Sequence, residues 1–173
     1  MIFKQFQGQI AIVIMEPLTI LEPENDFLAE VKKMAHDNGA LLMFDEIITG
    51  FRFALGGAQE LVGVTPDLTS LAKAMSNAIP LSAIVGKKEY MFALERTFFS
   101  FTYGGECIGL AAAKACIPKI KREKVVDHLW SVGAVLKDGF NKLAADYNLS
   151  DVFQCIGYPC RTIISIDGGD KYD

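Results

Sequence analysis

Histidine is nearly absent: His36 and His128 are the 2 histidines in 173 residues, and each stands alone in a stretch of helical spacing. No metal-ligand spacing forms, and no Ser-His-Asp set can be assembled from two such residues. Both read as surface or locally satisfied helix residues. The cysteines Cys107, Cys116, Cys155 and Cys160 make no Cys-x-x-Cys pair and lie among apolar neighbours. They read as buried, reduced thiols of a cytoplasmic protein rather than disulfides or metal ligands. Long basic runs are missing too. The Lys119, Lys121, Arg122 cluster is short and the formal net charge is −4, which argues against nucleic acid as a partner. No apolar stretch is long enough to span a bilayer. The opening MIFKQFQGQIAIVIM runs into Glu16-Pro17 with no small-residue cleavage site, so no signal peptide is expected. Internal repeats and low-complexity segments are also lacking.

What the chain does have is a globular composition, 51% hydrophobic and 22% charged, at a length that suits one domain with a sizeable core. Ile10 to Met15 is a continuous Ile/Val-rich run, the pattern of a strand buried on both faces of a parallel sheet. Glu24 to Asn38 has helical spacing, with acids in its first turn and Gly39 at its stop. Leu41 to Phe44 is a second buried strand, so the three form a right-handed βαβ unit with parallel strands. Further on, a short helix is expected at Ala58 to Val62, a segment at Leu68 to Ala72, a strand at Leu81 to Val85 and a helix at Lys87 to Glu95. After the aromatic stretch FFSFTYGGE comes an Ala-rich helix from Cys107 that Pro118 is expected to kink or stop. A long helix follows over Lys124 to Tyr147, then a turn at Ile156 to Pro159 and an edge strand at Arg161 to Ile166. The last strand is expected to lack a partner, and the closing GGDKYD to add no element.

Chemistry concentrates between Leu41 and Lys73. Ligands of parallel sheets collect at the carboxyl ends of strands, and Asp45 stands there. Lys73 has apolar neighbours on both sides, Leu71, Ala72, Ala74 and Met75. A desolvated lysine is an amine nucleophile toward carbonyls and forms Schiff bases with aldehydes, pyridoxal phosphate included. A pyridine cofactor also needs an acid at its ring nitrogen. Asp45 and Lys73 together meet both needs; singly, Asp45 is as well explained as a turn cap and Lys73 as a surface charge. Glu46 takes a structural role. Ile47 is placed to pack on a ring face or to serve as plain core. Thr102 and Ser100, ahead of Gly104-Gly105, suit a phosphate. Arg52 and Arg161 suit a substrate carboxylate or an ordinary surface.

These residues, in the order EP…GALLMFDEIITGFR…GGAQELVGVTPDLTSLAKAM…P and then FTYGGE, resemble the class III family of pyridoxal-phosphate aminotransferases, in its glutamate-1-semialdehyde 2,1-aminomutase-like branch. The resemblance covers nearly the whole chain. It implies an α/β protein of fold type I: a partial large domain over residues 1–122, with a mostly parallel sheet flanked by helices, and a connecting helix with the start of a small C-terminal domain over 123–173. It implies pyridoxal 5'-phosphate as cofactor, small-molecule amino donors and keto acceptors, and a cytoplasmic homodimer. By matching motif, Lys73 is the catalytic lysine that forms the Schiff base and moves the proton. Asp45 pairs with the pyridine nitrogen, Ile47 packs on the ring, and Thr102 holds the phosphate from the other subunit. The sequence departs from the family pattern at Ala72, Ser76 and Ala78, where glycine is frequent, and at Pro118. Family chains are much longer, so a central fragment is expected. The alternative is a truncated, catalytically incompetent α/β domain that only self-associates.

Overall fold

A computed structural model of the chain describes residues 2–98 and 100–166. Phe99 of the aromatic stretch and the closing GGDKYD lie outside the described residues. A short helix, α1 (Ile2–Gln5), leads to β1 (Ile12–Met15), α2 (Phe27–Asp37) and β2 (Leu41–Asp45). Then come α3 (Ala58–Val62), β3 (Leu68–Leu71), a 3-10 turn at Lys73–Met75 and β4 (Ala83–Gly86). Next are α4 (Lys88–Met91), a second 3-10 turn at Phe92–Arg96, and the long helices α5 (Cys107–Arg122) and α6 (Val125–Asp146). A hairpin of β5 (Phe153–Tyr158) and β6 (Arg161–Ile166) closes the described chain.

The main sheet has the order β1-β2-β3-β4. β1 pairs parallel with β2 and β2 with β3, while β4 returns antiparallel to β3. The βαβ expectation is met: α2 connects adjacent parallel strands and covers them. Leu28 of α2 packs on Leu42 and Phe44, with Val13, Met15 and Val31 around them. Complete burial of a side chain the size of Phe44 stabilises the fold by roughly 1.5–3 kcal/mol.

A second core forms where the β2–α3 loop meets α6 and the hairpin. Leu18, Phe53, Ala58 and Cys160 are buried against Leu129, Trp130 and Tyr158. The Phe53 and Tyr158 rings meet edge-on at 5.0 Å and the Phe53 and Trp130 rings at 6.4 Å, favourable quadrupole geometries. Trp130 Nε1 donates to the Phe53 carbonyl at 3.0 Å. α6 approaches the hairpin turn so closely that a Cβ at Gly133 would stand 1.7 Å from the Pro159 carbonyl oxygen, so no larger residue fits.

Four expectations are corrected here. β1 is not buried on both faces: Ile14 is 59% exposed and its other residues are only half-buried, because β1 is the edge strand of the sheet among the described residues. Pro118 does not stop α5, which continues to Arg122. Buried Ala113 and Ile120 on either side of it anchor the helix, so one lost backbone bond is tolerated. The residues expected as a turn at Ile156 to Tyr158 are strand β5, and β6 pairs antiparallel with it along its whole length. The last strand therefore has a partner; the turn itself falls at Pro159-Cys160, where no strand is assigned. Finally, all four thiols are free, but Cys107 is exposed, and burial holds only for Cys155 and Cys160.

Candidate functional site

β2 ends on Asp45, which pairs in register with Ser70 of β3. Ser70 Oγ donates to Asp45 Oδ1 at 3.2 Å, and the Ile47 N–H donates to the same oxygen at 3.0 Å. The second bond is a local aspartate turn closing the strand. A half-buried carboxylate is thus aimed by two donors, one from its own turn and one from the neighbouring strand. Lys73 follows Ser70 by three residues and opens the 3-10 turn. Parallel strands lie about 4.8 Å apart and three residues span at most about 10 Å, so the Lys73 backbone lies within about 15 Å of Asp45, past the carboxyl end of β3.

The lysine is not desolvated as its apolar neighbours predict. Lys73 is exposed, because the 3-10 turn sends Met75 inward, at 6% exposure, and leaves the lysine on the surface. Its backbone sits at φ 46, in the left-handed region that non-glycine residues occupy at a cost. Of the positions where the family favours glycine, Ala72 and Ser76 keep ordinary negative φ, but Ala78 stands at φ 78.

Glu46 is fully buried and has a structural use. Its carboxylate accepts from Thr49 Oγ1 at 2.9 Å, from the Ala58 and Gln59 N–H groups, and from Gln59 Nε2 at 3.0 Å. A carboxylate on the first N–H groups of α3 satisfies donors that have no partner within the helix. Gly57 makes room for it: the residue has φ 84, and a Cβ there would meet Glu46 Oε2 at 2.1 Å.

The other residues singled out lie apart. Ile47 is half-buried beside Asp45. Thr102 sits in an exposed turn before α5, stabilised by the Gly104 N–H on the Phe101 carbonyl and the Glu106 N–H on the Tyr103 carbonyl. Among the described residues, no hydrogen bond joins Thr102 to Asp45 or Lys73. Neither arginine is a free surface charge. Arg161 bonds the Leu18 and Thr19 carbonyls and faces Glu16 at 3.5 Å. Arg52 Nη1 reaches the Cys160 carbonyl at 3.4 Å.

Sequence reasoning passed over Asp67. It is fully buried just ahead of β3, accepts from the Leu42 N–H at 2.9 Å, meets His36 Nε2 at 2.7 Å, and lies 2.6 Å from Lys87 Nζ. Burial alone pushes its carboxyl pKa up, but the Leu42 N–H, Lys87 and His36 outweigh burial and hold it at about 2. Its partners lie 25 and 31 residues upstream or beyond β3, so no local pattern reveals it.

The chain matches the family model described as Aminotransferase class-III over residues 1–158. The glutamate-1-semialdehyde 2,1-aminomutase of Methanococcoides burtonii is 39% identical over 150 residues, covering 83% of this chain and 36% of that protein. An omega-transaminase from Sphaerobacter thermophilus superposes with a TM-score of 0.84 at 25% identity, over 95% of this chain and 39% of the other. The FumI protein of Sphingopyxis sp. MTA144, in its PLP internal aldimine form, superposes at 0.85 and 25% identity, over 94% and 40%. The mixed sheet with flanking helices is thus a partial fold type I architecture, and the chain spans 36% to 40% of the length of these relatives.

Proposed function

We propose amino-group transfer on one premise: the chain belongs to the class-III aminotransferase family. The observation that carries the reading is the meeting of an oriented carboxylate, Asp45, and an accessible primary amine, Lys73, at the carboxyl edge of adjacent parallel strands. The reaction class is transamination or a glutamate-1-semialdehyde-type aminomutation, with small amino donors and keto acceptors as substrates and pyridoxal 5'-phosphate as cofactor. That cofactor, when bound, supplies an aldehyde carbon for an amine and a ring that takes up carbanion electrons.

The residues present fit such a group. Asp45 Oδ1 is fixed by two donors, which suits a carboxylate whose task is to hold a proton on a ring nitrogen. Lys73 is reachable, and its left-handed backbone is retained where a relaxed conformation would cost less. In this reading Lys73 is the covalent anchor, and its Nζ carries the proton to and from the substrate's α-carbon. Ile47 packs against a ring face. Thr102 donates its hydroxyl to the phosphate of a neighbouring subunit, in a cytoplasmic homodimer. Residues 1–122 belong to the large cofactor-binding domain, and residues 123–173 begin the small one.

The protein is incubated with pyridoxal phosphate, reduced with borohydride and mapped by peptide mass. The pyridoxyl group is expected on Lys73. Label on another residue, or none, sinks the assignment.

A further inference from the structure

Away from Asp45, Ile47 and Lys73, none of which lines it, a cavity of about 570 Å³ opens between the β1–α2 loop, α2, α3, α6 and the end of β5. Three aromatic side chains line it, Phe27, Trp130 and Tyr158, alongside aliphatic groups such as Val62. The charged residues of the lining are Glu22 and Asp26, and no lysine, arginine or histidine joins them. Other cavities of the chain take lysines into their linings. Both carboxylates are exposed. Asp26 stands at the N-cap of α2 with φ 54, yet its side chain makes no cap hydrogen bond. The Glu22 carboxylate has no ion pair or hydrogen bond among the described residues. Trp130 and Tyr158 are set at 77° with centroids 6.2 Å apart, so a guest meets aromatic carbon from more than one direction. Among the described residues, cation–ring contacts fall on Tyr90 and Phe92, so no cation of the chain itself occupies these rings.

We propose that this cavity binds a quaternary ammonium ion. A cation over an aromatic ring is attracted by the ring quadrupole, and nearby carboxylates add a Coulombic pull. A quaternary ammonium spreads its charge over methyl groups and has no N–H to leave unmatched, whereas a primary ammonium gives up strong hydrogen bonds to water when it enters such walls. The methylated head lies against Trp130 and Tyr158, and Glu22 and Asp26 supply the countercharge. Such an ion carries no transferable amino group, so the site is separate from the reaction proposed above and does not depend on it.

The chain has 1 tryptophan, so Trp130 fluorescence reports this cavity alone. Choline is the probe. At low ionic strength it is expected to change the emission saturably, which sodium chloride at the same concentration should not do. Its neutral carbon isostere, 3,3-dimethylbutan-1-ol, should bind about tenfold more weakly, the factor two cation–ring contacts supply. Ethanolamine, with the same chain and a primary ammonium, should also be weaker. The double variant Glu22→Gln, Asp26→Asn should weaken choline binding severalfold; both side chains are exposed, and asparagine tolerates the left-handed backbone. Equal binding of the alcohol or of ethanolamine, no saturable change in the parent protein, or unaltered choline binding in the double variant overturns the proposal, and all but the last need no variant to fold. Choline should leave pyridoxyl labelling of Lys73 unchanged; loss of label on adding it would place the ion at Lys73 and overturn the proposal too. Absence of label without choline would instead sink the amino-transfer reading and leave this one standing.

Discussion

At the amino ends of β2 and β3, Asp67 is buried and takes the Leu42 N–H, His36 and Lys87 as partners. At the carboxyl ends of the same two strands, Asp45 is half-buried, with recorded bonds from Ser70 and Ile47, and its neighbour Lys73 faces solvent. One edge of the sheet spends its aspartate on locking α2, β2 and β4 together. The other edge leaves an aspartate and an amine where a small molecule can reach them. Glu46 shows that the second edge is not simply loose, because one residue after Asp45 the chain buries a carboxylate as completely as Asp67. Burial at that edge is selective, and the selection separates holding the fold from doing chemistry.

The sharpest way to break this comparison is Asp67→Ala. It strips the partner from Lys87, His36 and a buried backbone N–H, and breaking a buried ion pair typically costs 3–5 kcal/mol. With Lys87 and His36 both partly exposed, the lower end applies, about 3 kcal/mol in urea unfolding. Pyridoxyl labelling of Lys73 should persist in the folded fraction. If Asp67→Ala left stability unchanged, the amino edge would not be a lock.

Acid gives the next largest effect. The Asp67 pKa is lowered on folding, from 3.8 to about 2, so its contribution is fully present above the unfolded value and is lost as pH falls toward the folded one. Between about pH 5 and pH 2 the protein should lose about 2 kcal/mol from this group. Asp67→Asn should lack that component. Urea midpoints across that range, compared between the two proteins, check it; parallel curves would refute it.

Much of this edge-to-edge division was legible in the sequence, though unevenly. Ile12–Met15 and Leu41–Asp45 announce themselves as parallel strands because their apolar runs are continuous, and that alone puts Asp45 at a carboxyl edge, although only β2 is buried as such a run implies. Lys73 is less legible: Thr69 and Ser70 interrupt the apolar pattern of β3, so the segment Leu68 to Ala72 does not declare itself a strand ending at the lysine. Its exposure was misread because apolar neighbours along a chain bury a side chain only if the local backbone turns it inward, and a 3-10 turn here does the opposite. β5 was missed because Gln154 and Gly157 dilute its pattern, and its partner strand comes after it. Asp67 was missed because everything it touches is distant in sequence.

Ala78→Gly tests the loop that joins β3 to β4 at the carboxyl edge. Ala78 holds φ 78, where an L-residue pays about 1–2 kcal/mol that glycine does not, and nothing assigns its methyl a task beyond lining a cavity beside Lys73. The replacement should raise stability by about 1 kcal/mol after the larger chain entropy of glycine is allowed for. A destabilised Ala78→Gly protein would mean that the methyl's packing outweighs the strain.

Lys73 carries the smallest stability effects and the clearest contrast with Asp67. Lys73→Ala keeps the Cβ and hence the left-handed penalty at φ 46, and the lost side chain is exposed. Its stability should therefore stay within about 0.5 kcal/mol of the parent. Lys73→Gly removes the penalty as well and should exceed Lys73→Ala by somewhat under about 1 kcal/mol. Both variants should lose the pyridoxyl label entirely. A glycine variant more stable than the parent, yet without the label, would show a lysine kept at a strained position against the preference of the fold. That is expected of a residue retained for its amine. A lysine whose removal in either form cost several kcal/mol would belong with Asp67, and the carboxyl edge would then be a second lock.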